Sequence, residues 1–191
     1  RANSRPRKGF LQSRHGRDAA GLPRTLTMNT ALKLAAASLL CGAATMALAD
    51  GARSEKNMSL ALANQLAAAA VSACQANGYA VTATVVDRAG GIRAMHRADN
   101  AGPHTIAASE RKAYTSASAK SATSAMMDGA QKNPGAANLV HIPGFLLLGG
   151  GMPVKVGNEV IGAVGVGGAP GGHLDEQCVA AALESVKNQL K

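Results

Sequence analysis

Apolar positions in this chain change character along its length, from long alanine- and leucine-rich runs to short β-branched ones. Ser59 to Asn77 (SLALANQLAAAAVSACQAN) is a run of helix formers with a serine to cap it and Gly78 to stop it, which predicts a helix. Val81–Asp87 is β-branched and alternating. Ala89-Gly90-Gly91 makes a turn and Ile92–His96 returns as a second strand. Arg97–Pro103 is rich in chain breakers, Thr105–Ser118 and Thr123–Lys132 read as helices, and Pro134 ends the second. Three short apolar runs follow at Phe145–Leu148, Met152–Val156 and Glu159–Val166, the last two joined by a tight Gly157-Asn158 turn. A glycine-rich loop, Gly167–Gly172, leads into a last helix at Leu174–Leu190 with Asp175 and Glu176 near its start. The order is α-β-β-α-α-β-β-β-α. Hairpins on both sides of a helical insert predict an α+β domain, a five-stranded antiparallel sheet packed with helices.

Charge changes the picture only at the front. The 191 residues carry +9 with 2% aromatics. Residues 1–49 hold eight Lys/Arg against Asp18 alone, and residues 50–191 hold twelve basic and ten acidic side chains. The near-neutral, aromatic-poor body offers no electrostatic footprint or stacking platform for nucleic acid. From Met28 the chain reads as a secretory signal peptide: Lys33, an uncharged stretch from Leu34 to about Met46, and an Ala47-Leu48-Ala49 cleavage site. That apolar stretch is shorter than the roughly 20 residues a bilayer span needs. Cys41 would suit a lipoprotein signal, but Leu40 stands where a small residue is required. Residues 1–27 read as an upstream extension outside the fold, 28–49 as the signal peptide, 50–57 as a flexible N-terminus, and 58–191 as the domain. Cleavage after Ala49 would leave 142 residues in the periplasm or outside the cell, with no membrane attachment. The two cysteines that remain, Cys74 and Cys178, fit either a disulfide between the first and last helices or two buried thiols.

Candidate chemistry is sparse. Gly162–Gly172 matches neither the Rossmann nor the P-loop pattern, although glycines there would let a flat ligand approach the backbone. The body's four histidines form no paired metal spacing. His104, after Gly102-Pro103 at a helix start, and His141, before Ile142-Pro143-Gly144, sit where an imidazole can face a cleft and bind a cofactor iron. Glu110-Arg111-Lys112-Ala113-Tyr114-Thr115 sets two cations and a phenol on one helix, which suits either a solvated face or recognition of a carboxylate. No serine or threonine lies in a nucleophile-elbow context, and the sequence assembles no Ser/His/Asp or Cys/His constellation.

Several separated motifs occur in a familiar order: Val85-Val86-Asp87-Arg88-Ala89-Gly90-Gly91, Gly102-Pro103 with Glu110–Thr115, His141-Ile142-Pro143-Gly144, Leu148–Val154, and Gly162–Glu176. Together they resemble the GlcG/HbpS-like heme-binding protein family over about residues 58–190. The resemblance implies a five-stranded α+β domain, commonly a homo-oligomer. Some members bind heme, and others sit beside small-acid catabolism genes. The secreted sensing branch carries an acidic pair three residues apart before Arg-Lys-Ala. Here those positions are Ala107 and Glu110, so one carboxylate is missing. The hydroxyl heme contact of that branch after Ile-Pro-Gly is replaced by Phe145, with His141 four residues earlier. On this resemblance His141 or His104 is the expected axial ligand of a heme. Arg111 or Lys112 would pair with a propionate, and Tyr114, Phe145 and Met152 would line the porphyrin. The reading is an exported, non-enzymatic heme carrier, buffer or sensor component. The alternative is an enzyme or accessory factor in which Arg111 and Lys112 hold a small carboxylic acid and His104 or His141 is the base.

Overall fold

Ser59 starts the first helix as the spacing predicts, its hydroxyl accepting from Leu62 N at 3.2 Å, and α1 runs Leu60–Ala76. The structure, a computed structural model, describes residues 51–191, so the expected upstream extension and signal peptide lie outside the described residues. All the elements below belong to the folded unit Ser54–Lys191. Strands β1 (Thr82–Asp87) and β2 (Ile92–Arg97) form the first hairpin. Helices α2 (His104–Ala119) and α3 (Thr123–Lys132) follow, then a 3-10 turn at Pro134–His141. Strands β3 (Gly151–Val156) and β4 (Glu159–Gly167) make the second hairpin, and α4 (Gly172–Ser185) is followed by a short 3-10 turn at Lys187–Gln189.

Among the described residues the sheet has four strands in the order β2-β1-β4-β3, every pair antiparallel. This corrects the expected five. Phe145–Leu148 is apolar enough for a strand, but its backbone is bonded to helix side chains instead of a neighbouring strand. Leu146 N donates to Thr115 Oγ1 at 2.8 Å, Thr123 Oγ1 donates to Leu148 O at 2.7 Å, and Arg111 Nη2 donates to Phe145 O at 2.7 Å. With those groups taken, no ladder is available to it.

Helices α1 and α4 cover one face of the sheet and α2 covers the other. Leu62, Leu66, Val81, Val85, Val164, Val166 and Val179 belong to the main core under α1 and α4. Within it Cys74 and Cys178 are disulfide-bonded, Cα–Cα 5.3 Å apart, joining the first and last helices. The α2 face is built from small and hydroxylated residues. Thr82 pairs with Thr105 and Thr84 with Ser109, each at 2.7 Å between buried hydroxyls, and Val86, Ala113, Ala117 and Ala163 form a second apolar cluster. Gly165 lets the helix lie against the strand, because a Cβ there would overlap Ser109 O and stand 2.5 Å from Ala113 N. Much of the glycine-rich stretch after Gly162 is therefore a packing surface for α2.

Residues ahead of α1 pack where the two hairpin turns end the sheet: Met58 N donates to Ile161 O at 3.1 Å, and Arg88 pairs with Glu55 at 3.0 Å and Glu159 at 2.8 Å. The Arg88 hydrogen bond, with smaller help from Lys56, holds the Glu159 carboxyl below its ordinary range.

Candidate functional site

Helix α2 carries Arg111 and Lys112 side by side, and about 100° of helical rotation sends them to different places. Arg111 is exposed and opens onto a cleft of about 300 Å³ shared with Gly90, Glu110, Tyr114, Pro143 and Gly144. The Tyr114 ring lies between two glycines with left-handed backbones, Gly90 at φ 84° in the β1–β2 turn and Gly144 at φ 85°. A Cβ on Gly90 would stand 2.7 Å from Tyr114 Cδ2, and one on Gly144 3.0 Å from Tyr114 Cε1. Both turns thus need glycine for backbone conformation and for space. Phe145 meets the tyrosine edge-on, ring centroids 6.3 Å apart, and its carbonyl accepts from Arg111. The half-buried Tyr114 hydroxyl has no hydrogen-bond partner among the described residues. The result is a half-open slot with a phenol, a guanidinium and a carboxylate at its walls.

Lys112 points inward. Its ammonium donates to Asp175 Oδ2 at 2.7 Å and to Val166 O at 3.0 Å, and the two side chains are only 2% and 3% exposed. Asp175, at the start of α4, also accepts from Ala169 N at 3.0 Å. Burial pushes its carboxyl above the usual carboxylate range, while the Lys112 hydrogen bond and charge, Ala169 N and His173 act against that push. The pair forms part of the wall of a second cleft of about 210 Å³, with His104, Ala108, Leu148 and the loop Gly167–Gly172.

The residues expected to meet one heme are therefore distributed. Arg111, Tyr114 and Phe145 come together, with Phe145 behind the ring. His104 and Lys112 belong to the second cleft, and Lys112, expected at a propionate, is committed to Asp175. Met152 packs against the main core. His141 is exposed at the end of the 3-10 turn and lines neither cleft. Among the described residues no cluster of three or more His, Cys, Asp or Glu could hold a metal ion, and no helix is long and apolar enough to cross a membrane. Asp175 was legible only as a helix-start acid, and Gly90 and Gly144 only as motif glycines. One signal for Asp175 lay in α2: its buried stripe Thr105, Ser109, Lys112, Ser116 has helical spacing, and a lysine in such a stripe requires a buried acceptor.

Comparisons with known proteins agree with this fold. The family model described as "Haem degrading protein HbpS-like" matches residues 58–184. Protein GlcG of Escherichia coli K12 is 34% identical over 109 residues, 55% of this chain and 80% of that protein. A crystal structure of a double mutant of Streptomyces reticuli HbpS is similar at a TM-score of 0.68 and 36% identity, covering 75% of this chain and 97% of the other. A structure titled as a PduOC:heme complex shares the fold at a TM-score of 0.57 and 24% identity, covering 65% and 94%.

Proposed function

This chain belongs to the HbpS-like family, and from that premise we propose that it is an exported heme-binding protein whose ligand is held at the Arg111–Tyr114 cleft. The observation that carries this reading is the tyrosine ring set between Gly90 and Gly144 with a guanidinium beside it. That arrangement suits a flat apolar molecule bearing carboxylates. The donor chemistry fits heme: a phenol oxygen without a protein partner is a competent ligand for ferric iron, and an arginine fork matches a propionate. About 300 Å³ lies at the small end of ligand pockets, and exposed Val140 and Ile142 in the segment leading into Pro143 extend the apolar surface. When bound, heme would supply iron-centred ligand and redox chemistry. Arg111 would orient it, Tyr114 would offer the oxygen, and Phe145 would back the tyrosine ring. His141, four residues before Phe145, lies outside the lining of this cleft, so Tyr114 takes precedence over it as the iron ligand in this reading.

The name of the heme-complex neighbour supports the ligand class, and the disulfide supports an oxidising compartment such as the periplasm or the exterior. Exposed Val140, Ile142 and Leu148 are consistent with a homo-oligomer, which light scattering would measure. A second reading, a small carboxylic acid held for an enzyme or accessory factor, is favoured by the same Arg111 guanidinium. Hemin added to the purified protein should give a shifted Soret band that Tyr114→Phe alters more than His141→Ala does. No shift at stoichiometric hemin would sink the heme reading. Thermal stabilisation by a small carboxylate that disappears in Arg111→Ala would favour the second.

A further inference from the structure

The second cleft is unused by the heme reading, yet its floor holds a buried ion pair. A buried ion pair is rarely worth its desolvation as a device for stability alone, since apolar residues of similar volume serve as well. Here room is kept for it: a Cβ on Gly150 would come within 2.8 Å of both Lys112 Nζ and Asp175 Cβ. An ammonium has three donors. Asp175 Oδ2 and Val166 O take two, and the third has no partner among the described residues. Lys112 and Asp175 both line the cleft, so the buried pair forms part of its floor. The cleft wall from Gly167 to Gly172 contributes no polar side chain, and His104 is exposed at its edge.

We propose that this second cleft is a separate binding site for a short aliphatic carboxylate, held by Lys112 and His104 with its tail against Ala108 and Leu148. About 210 Å³ admits only a small molecule. Lys112 and Asp175 cancel in charge, so no net positive field draws in a multiply charged anion. The Asp175 carboxylate beside the ammonium disfavours a second negative charge more than a first. The methyl and ring carbons of Ala108, Leu148, Ala169 and Pro170 favour a hydrocarbon tail over a bare oxyanion. The site does not depend on heme occupying the first cleft.

The test is amide NMR of the full chain titrated with butyrate, and separately with acetate and inorganic phosphate. Butyrate should give saturable shifts at Gly167, Gly168, Ala169, Gly171 and Gly172. Binding should be tighter than for acetate or phosphate, and about tenfold weaker in His104→Ala. Arg111→Ala should leave it unchanged. Lys112→Met should abolish binding if it folds; if it does not, His104→Ala and the shift map decide. Shifts confined to Gly90, Tyr114 and Gly144 and lost in Arg111→Ala would overturn the proposal, as would phosphate outcompeting butyrate or no saturable shift at all. Hemin binding is measured independently, so failure here leaves the heme reading standing.

Discussion

Arg111 and Lys112 are neighbours on one helix and lead opposite lives. Arg111 stands in solvent beside Tyr114, donates to a loop carbonyl, and leaves the rest of its fork for a ligand. Lys112 is buried with Asp175 at the floor of the second cleft. The same charge is thus presented to solvent at one position and paired inside the fold at the next. Which of the two it does is decided by helical phase, and residue type says nothing about it. A motif spanning both residues should not be assigned one role.

The largest way to break this contrast is to truncate each cation. Lys112→Ala should cost about 3–5 kcal/mol in urea unfolding, because it strands a buried carboxylate. Arg111→Ala should stay within about 0.5 kcal/mol of wild type. Equal losses would erase the distinction. Replacing both partners, Lys112→Met with Asp175→Leu, should recover most of the lost stability, since the cost lies in the unpaired charge. Next in size, Gly165→Ala should cost about 1–3 kcal/mol by pushing α2 off β4, measurable as a lowered Tm. Arg111→Ala should instead show itself in binding, weakening heme by about tenfold, or about 1.4 kcal/mol, without changing the unfolding midpoint.

The two perturbed carboxyls give effects of opposite sign. Asp175 is raised above its ordinary 3.8, so its contribution is fully present below that value and is lost as pH rises through the folded pKa. Glu159 is lowered below 4.5 by Arg88, so its contribution is present above 4.5 and is lost as pH falls through the folded pKa. Stability against pH should lose the first slope in Asp175→Asn. In Glu159→Gln it should lose only a slight acid-side slope, the smallest effect expected because that carboxylate is solvent-screened.

Local pattern was enough for most of the fold. Helix α3 matches its expected bounds of Thr123–Lys132, and the two hairpins fall where the turn glycines place them. Phe145–Leu148 was misread because its apolar run says nothing about where the backbone's partners are. They are Thr115, Thr123 and Arg111, 25 to 34 residues earlier in the chain. The site was legible in its members and not in its grouping. Tyr114 and Phe145 come together only because Gly144 turns the loop over the ring. His104, Ala108 and Lys112 share one face of α2 at four-residue spacing, but the opposite wall of their cleft exists because α4 begins beside β4's end. The Tyr114–Phe145 grouping and that opposite wall depend on contacts distant in sequence, which neither periodicity nor spacing carries. The disulfide was open for the same reason, since it required α1 and α4 to lie side by side.

The central claim is that heme goes to the cleft of Arg111 and Tyr114 and leaves that of Lys112 alone. It is tested most directly by titrating hemin into wild type, Arg111→Ala and His104→Ala while following the Soret band. The account predicts saturable binding that weakens about tenfold in Arg111→Ala and is unchanged in His104→Ala. Binding that survives Arg111→Ala and is lost in His104→Ala would contradict it.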